Sequence, residues 1–228
     1  MVTLLPGVTY VLSEFIRVSR QITVIGRPLD MPTVDAHRAF RAFTVEAGGF
    51  IDIRFVRLFR GKPIRLRPSL LEIRGGVFYI RRGGRAVLTS CFLTVNPRLI
   101  TEFFISEQLD TLRLRGGYIL QEEGTLVMTD VHIYVTRPGV LFREVYTVGG
   151  QVLLLAGNAV FTGCTFLSNL LFVNVFGVGD AIGVFGGTAI FTGCSFTLNC
   201  AFLSVSIFVD DQFCRRRLKM AVKILSNT

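Results

Sequence analysis

Six side chains in this sequence have the chemistry from which a reaction would start: Asp52, Asp130, His132, Glu72, Glu122 and Glu123. Clustered carboxylates hold Ca²⁺ or act as general acid and base, and an Arg or Lys beside an acidic sugar can act as base. These six stand in different local contexts and do not assemble into a pattern. His37 and His132 share no surroundings and read as surface residues. The five cysteines show no CxxC or Cys/His spacing of the kind zinc requires. The expectation is a non-enzymatic chain: no catalytic residues, no metal, no cofactor.

Charge is the stronger signal. The net charge is +9, and residues 54–85 carry ten basic side chains against the single Glu72. Arg54, Arg57, Arg60, Lys62, Arg65 and Arg67 form the candidate polyanion-binding set, because guanidinium groups pair bidentately with phosphate, sulfate or uronate oxygens. The plainer reading of such a run is a solvated face. No aromatic stacking platform accompanies it in sequence, which argues against specific nucleic-acid recognition. An acidic polysaccharide is the anionic partner the tract would suit.

The elements that must position these residues are repeated. Five segments share one template: GGFIDIRFVRLFRG from Gly48, GGRAVLTSCFLTVN from Gly83, EGTLVMTDVHIYVT from Glu123, AGNAVFTGCTFLSN from Ala156 and GGTAIFTGCSFTLN from Gly186. In register, four columns are apolar in every row. The second holds Ile53, Leu88, Met128, Phe161 and Phe191; the third holds Val56, Cys91, Val131, Cys164 and Cys194. Columns one and two, and three and four, are two residues apart, the period of a strand. Columns two and three are three apart, so the chain bends between them. A pattern returning every 30 to 40 residues predicts stacked coils that bury their inner faces on one another.

The outward positions are informative as well. Asp52 is followed, coil by coil, by Val87, Val127, Val160 and Ile190, so carboxylates do not stack. That apolar ridge is the candidate protein interface. Residues 145–209 carry one charge, Asp180, but glycines interrupt them and their period is that of strands, which argues against membrane helices. The cysteine column reads as small buried side chains close enough to pair without needing to.

The opening segment carries Pro6, Gly7, Tyr10 and Leu12, then Thr23, Val24 and Gly26. This turn and strand resemble the first coils of the pectate-lyase-like superfamily of right-handed parallel β-helices, over roughly residues 2–209. Asn96, Asn169 and Asn199, with Thr136 and Gly61 in the other rows, resemble the asparagine ladder of that superfamily. The tokens Gly186–Ile190, Phe196–Asn199 and Phe166–Asn169 also resemble repeats of polymorphic outer-membrane adhesins. The Asn-Thr-Asp, Asp-Asp and Gly-His-Gly tokens of the galacturonase branch are not found.

The expected fold is therefore all-β, a single-stranded right-handed parallel β-helix solenoid with three strands per coil, over residues 1–211. Residues 212–228 form a basic C-terminal cap or tail. There Leu218, Ala221, Val222 and Leu225 fall on one helical face, suiting a capping helix or a membrane-surface or partner-binding one. The expected function is a non-catalytic structural or adhesive module of a surface fibre, viral particle or larger assembly. Its partners would be other protein chains or copies of itself. The alternative is a carbohydrate-active lyase, hydrolase or epimerase of the pectate-lyase-like superfamily, or a degenerate form of one. The N-terminus lacks the pattern of a signal peptide; a virion or cell-surface setting is favoured.

Overall fold

A computed structural model describes residues 1–36, 39–61, 64–67, 70–94, 111–135, 144–148, 150–168, 175–178, 181–197 and 207–209. Every regular element among them is a strand. The chain is a parallel β-helix of seven coils, each giving one strand to each of three seven-stranded parallel sheets.

Sheet A contains Val2–Thr3, Gln21–Ile25, Phe50–Arg54, Gly84–Thr89, Gly124–Thr129, Asn158–Thr162 and Thr188–Thr192. Sheet B contains Thr9–Val11, Thr33–Asp35, Arg57–Phe59, Phe92–Thr94, His132–Val135, Thr165–Ser168 and Ser195–Thr197. Sheet C contains Ile16–Val18, Phe43–Val45, Phe78–Ile80, Ile119–Gln121, Val152–Leu154, Ile182–Val184 and Ile207–Val209.

Coils three to six add a strand between sheets B and C. Leu70–Arg74, Thr111–Arg115, Glu144–Val148 and Val175–Val178 pair in parallel as sheet D, with Ile64–Arg67 antiparallel at its edge. The sequence suggests one strand around each glycine pair. Instead Gly75 and Gly116, at φ of +52° and +53°, divide that strand in two. A Cβ on Gly116 would lie 2.1 Å from the Ile119 carbonyl oxygen, so the bend tolerates no side chain.

The repeat columns lie in register. Ile53, Leu88, Met128, Phe161 and Phe191 are direct partners along sheet A and are all buried. Phe161 stacks on Phe191 with centroids 4.8 Å apart, and Phe166 on Phe196 at 4.9 Å. Like side chains therefore repeat at the strand spacing in one continuous core. Burying one such side chain is worth about 1.5–3 kcal/mol.

The bend between columns two and three is one residue deep. Phe55, Ser90, Asp130, Gly163 and Gly193 all take left-handed φ, between 50° and 62°. Four of their N–H groups donate to the next coil: Phe55 to Thr89, Ser90 to Thr129, Asp130 to Thr162 and Gly163 to Thr192, at 2.8–3.1 Å. These bonds satisfy the backbone where the strand stops.

At the start of the solenoid, Tyr10 and Leu12 pack against the core, and the Tyr10 hydroxyl accepts the Leu5 N–H at 2.9 Å. Gly26 ends the first strand of the second coil. Its missing Cβ leaves room for the Phe55 carbonyl oxygen, which would lie 2.1 Å away. Asn96, Asn169, Asn199 and Thr136, residues 97–110 and the tail 212–228 lie outside the described residues.

Candidate functional site: two outer faces and a walled groove

The structure disperses the predicted basic set. Arg54 is exposed and bound to its neighbour Asp52, with Nη2 to Oδ2 at 2.6 Å, and hydrogen bonding to that carboxylate raises its pKa. Arg57 is exposed on sheet B. Arg60 turns inward. It is only 7% exposed, sits over the Tyr118 ring at 5.8 Å, and burial lowers its pKa. Arg65 and Arg67 lie on the edge strand of sheet D, paired in register with Leu71 and Leu70. Lys62 falls outside the described residues.

Beside Arg57 the structure brings together rings that are far apart in sequence. Phe92 is the register partner of both Arg57 and His132. The Phe92 and His132 rings stack at 5.0 Å, and Tyr134 lies 6.0 Å from His132. The basic tract thus has aromatic neighbours that linear spacing conceals. His37 lies outside the described residues; Asp130 occupies the exposed bend between sheets A and B.

The ridge is assembled in register. Val87 pairs with Val127, Val127 with Val160, and Val160 with Ile190. The three valines are partly exposed and Ile190 is 39% exposed. Asp52 begins the column, closed off by its ion pair with Arg54. On one side runs a second column: Thr89, Thr129, Thr162 and Thr192. This part of the face presents methyl groups and hydroxyls.

The third feature is a groove over the outer face of sheet C. Its floor is one outward row in register: Thr44, Tyr79, Leu120 and Leu153. One wall is the end of sheet D, where Arg74 pairs with Arg115. The other wall is the first residue after each sheet C strand: Glu46, Arg81, Glu122, Leu155 and Phe185. These are held by N–H bonds from each coil to the one before, such as Glu122 to Ile80 and Leu155 to Gln121. A cavity of about 400 Å³ occupies the part of this groove from Arg41 and Tyr79 to Leu153 and Phe185; Thr44, Glu46 and Arg81 line a separate, smaller pocket.

Arg41 closes one end. It is 9% exposed, with its guanidinium 4.8 Å from the Phe40 centroid and 4.5 Å from that of Tyr79. Burial lowers its pKa, opposed by Tyr79 and Glu122; Arg74 and Arg81 lower it further. The Tyr79 hydroxyl donates to Glu122, and Arg81 Nη1 holds Glu46 Oε2 at 2.9 Å. The Tyr79 pKa is raised, first by burial and then by the Glu122 bond.

Sequence reading did not select this groove, although Glu122 was among the acidic candidates. The readable signal was Arg-Gly-Gly at residues 74–76 and again at 115–117, which stacks the two arginines.

The cysteine column holds three free thiols. Burial raises the Cys91 pKa to about 11. Cys164 is raised by its hydrogen bond to Cys194 and by burial, and the same bond lowers Cys194. Among the described residues no three His, Cys, Asp or Glu side chains come close enough to hold a metal ion, and no helix is long and apolar enough to cross a membrane.

No family model matches the chain, and no curated protein or solved structure matches it.

Proposed function

We propose that this β-helix is a non-catalytic structural or adhesive module of a larger assembly, such as a surface fibre or viral particle, joined to its neighbours through the outer face of sheet A. The observation that carries this reading is the ridge of Val87, Val127, Val160 and Ile190, four apolar side chains in direct register and partly or fully exposed. Soluble monomers seldom leave such a stripe uncovered. The threonine column beside it supplies hydroxyls that satisfy a neighbour's polar groups at the rim of a contact.

The test is association. Light scattering and sedimentation are expected to show the unmodified protein self-associating or bound to a co-purifying chain. Val127→Glu with Val160→Glu is expected to abolish that without lowering the thermal midpoint. A protein that stays monomeric and alone at high concentration overturns the proposal.

A second reading draws on the Pro6–Gly7 and Thr23–Gly26 resemblance to the pectate-lyase-like superfamily and on the basic groove over sheet C. It makes the chain a carbohydrate-active lyase, hydrolase or epimerase. Unsaturated-uronate absorbance from pectate, alginate or hyaluronan, lost in Asp130 or His132 variants, would establish it in place of the first.

A further inference from the structure

We propose that the groove over sheet C is a binding site for a small organic anion with an apolar body, such as an aromatic carboxylate or sulfonate. Three observations converge on it. The first is shape: the cavity of about 400 Å³ is in the range of small-ligand pockets, roughly 300–1,000 Å³. Two of its boundaries are strands and the third is a hydrogen-bonded ladder of turn residues, so it exists without the ligand.

The second is chemical asymmetry along the axis. Toward later coils the lining is Leu153, Leu155 and Phe185; toward the earlier coils it is Arg41, Arg74 and Tyr79, and in the fourth coil between them Arg115 and Glu122 flank Leu120. A sugar chain needs hydroxyl partners along its whole length, which the leucine end lacks. A ligand with an apolar body and one anionic end matches both halves.

The third is a charge imbalance at the basic end. Arg41 is a nine-tenths buried cation whose Nε has no hydrogen-bond partner among the described residues. A buried charge is costly unless it is paired. Of the two carboxylates nearby, Glu46 is paired with Arg81, while Glu122, which accepts from the neutral Tyr79 hydroxyl, keeps its charge and partly offsets Arg41; with Arg74 and Arg115 on the wall this end remains net positive. Stacking between Phe40 and Tyr79 holds the Arg41 guanidinium in place, so an anion in the groove meets a fixed positive charge.

The experiment is calorimetric titration of the full chain with 2-naphthoate, its neutral isostere 2-naphthalenemethanol, and trigalacturonate. Arg74 and Arg115 have exposed side chains, so both Gln variants are expected to stay folded, Arg115→Gln with the wild-type melting profile and Arg74→Gln, which gives up a contact of its own, with a small shift. Naphthoate is expected to bind the wild type, with affinity falling about tenfold in each variant, the size of one charge-assisted hydrogen bond. The neutral isostere is expected to bind at least tenfold more weakly than naphthoate.

Absence of heat with naphthoate at about 1 mM, equal binding of the neutral isostere, or unchanged affinity in the Arg74→Gln/Arg115→Gln double variant overturns the proposal. Tighter binding of trigalacturonate than of naphthoate also overturns it, in favour of a carbohydrate ligand. The assembly proposal fails separately, because the ridge substitutions leave the groove intact and the groove substitutions leave the ridge intact.

Discussion

The outer faces of sheets A and C are built by the same register and end as different surfaces. On sheet A, Val87, Val127, Val160 and Ile190 climb the coils on an open plane. On sheet C the equivalent outward residues, Leu120 and Leu153, are 9% and 2% exposed. The difference lies in what flanks each sheet. In coils three to seven, which carry the ridge column, sheet A passes to sheet B through one left-handed residue, which leaves no chain to rise above the sheet. Sheet C is entered from the added strands of sheet D, whose ends project Arg74 and Arg115 along its margin. In a β-helix, the length and conformation of the connections decide which face becomes an interface and which a cavity.

The largest effect should come from placing one charge on each face. Leu153→Glu would bury a carboxylate on the groove floor and is expected to cost on the order of 3–5 kcal/mol. Val127→Glu, outward on the open sheet, should stay within about 1 kcal/mol. Urea denaturation followed by circular dichroism measures both. Equal losses would mean that the face of sheet A is as enclosed as that of sheet C.

The turns give the next contrast. Gly116 and Gly193 share a left-handed φ, but a Cβ at Gly116 would strike the Ile119 carbonyl at 2.1 Å, while at Gly193 nothing lies within 4 Å. Gly193→Ala is expected to cost about 1–2 kcal/mol, the strain of a left-handed alanine. Gly116→Ala should cost distinctly more and also weaken naphthoate binding, because it displaces the base of the arginine wall. Matching melts for the two variants would remove the steric basis of the D-to-C bend.

The smallest effect concerns the thiols beneath sheet A and leaves stability untouched. Alkylation requires the thiolate, so Cys91, with its pKa raised to about 11, should resist iodoacetamide at pH 8 and gain reactivity only as pH approaches that value. Cys194 is partly exposed and lowered by its bond to Cys164, so it should be labelled ahead of both Cys91 and Cys164. Peptide mass spectrometry reads the order directly. Faster labelling of Cys91 would show that the column is less sealed than its burial indicates.

Much of the fold was legible because its information is periodic. Four apolar columns at fixed spacing, with a three-residue step between the second and third, placed the inward faces and the bend. Phe55, Ser90, Asp130, Gly163 and Gly193 occupy that bend. The ridge was legible for the same reason, since an outward residue is simply the one between two inward ones. The three basic residues of the tract whose side chains are described do not share one face. Arg54, Arg57 and Arg60 are three residues apart, yet the bend at Phe55 and the alternation of the strand after it send one to an ion pair, one to solvent and one into the core.

By itself, the sequence determined the coils, their register and the identity of the core, because strand period and turn glycines act within a single repeat. Only the tertiary structure decided the groove and the aromatic cluster. Arg41 precedes the first repeat, Arg74 and Arg115 are 41 residues apart, and Phe92 and His132 are 40 apart. Each set meets only because coils stack at the strand spacing, converting a long separation along the chain into direct contact across it.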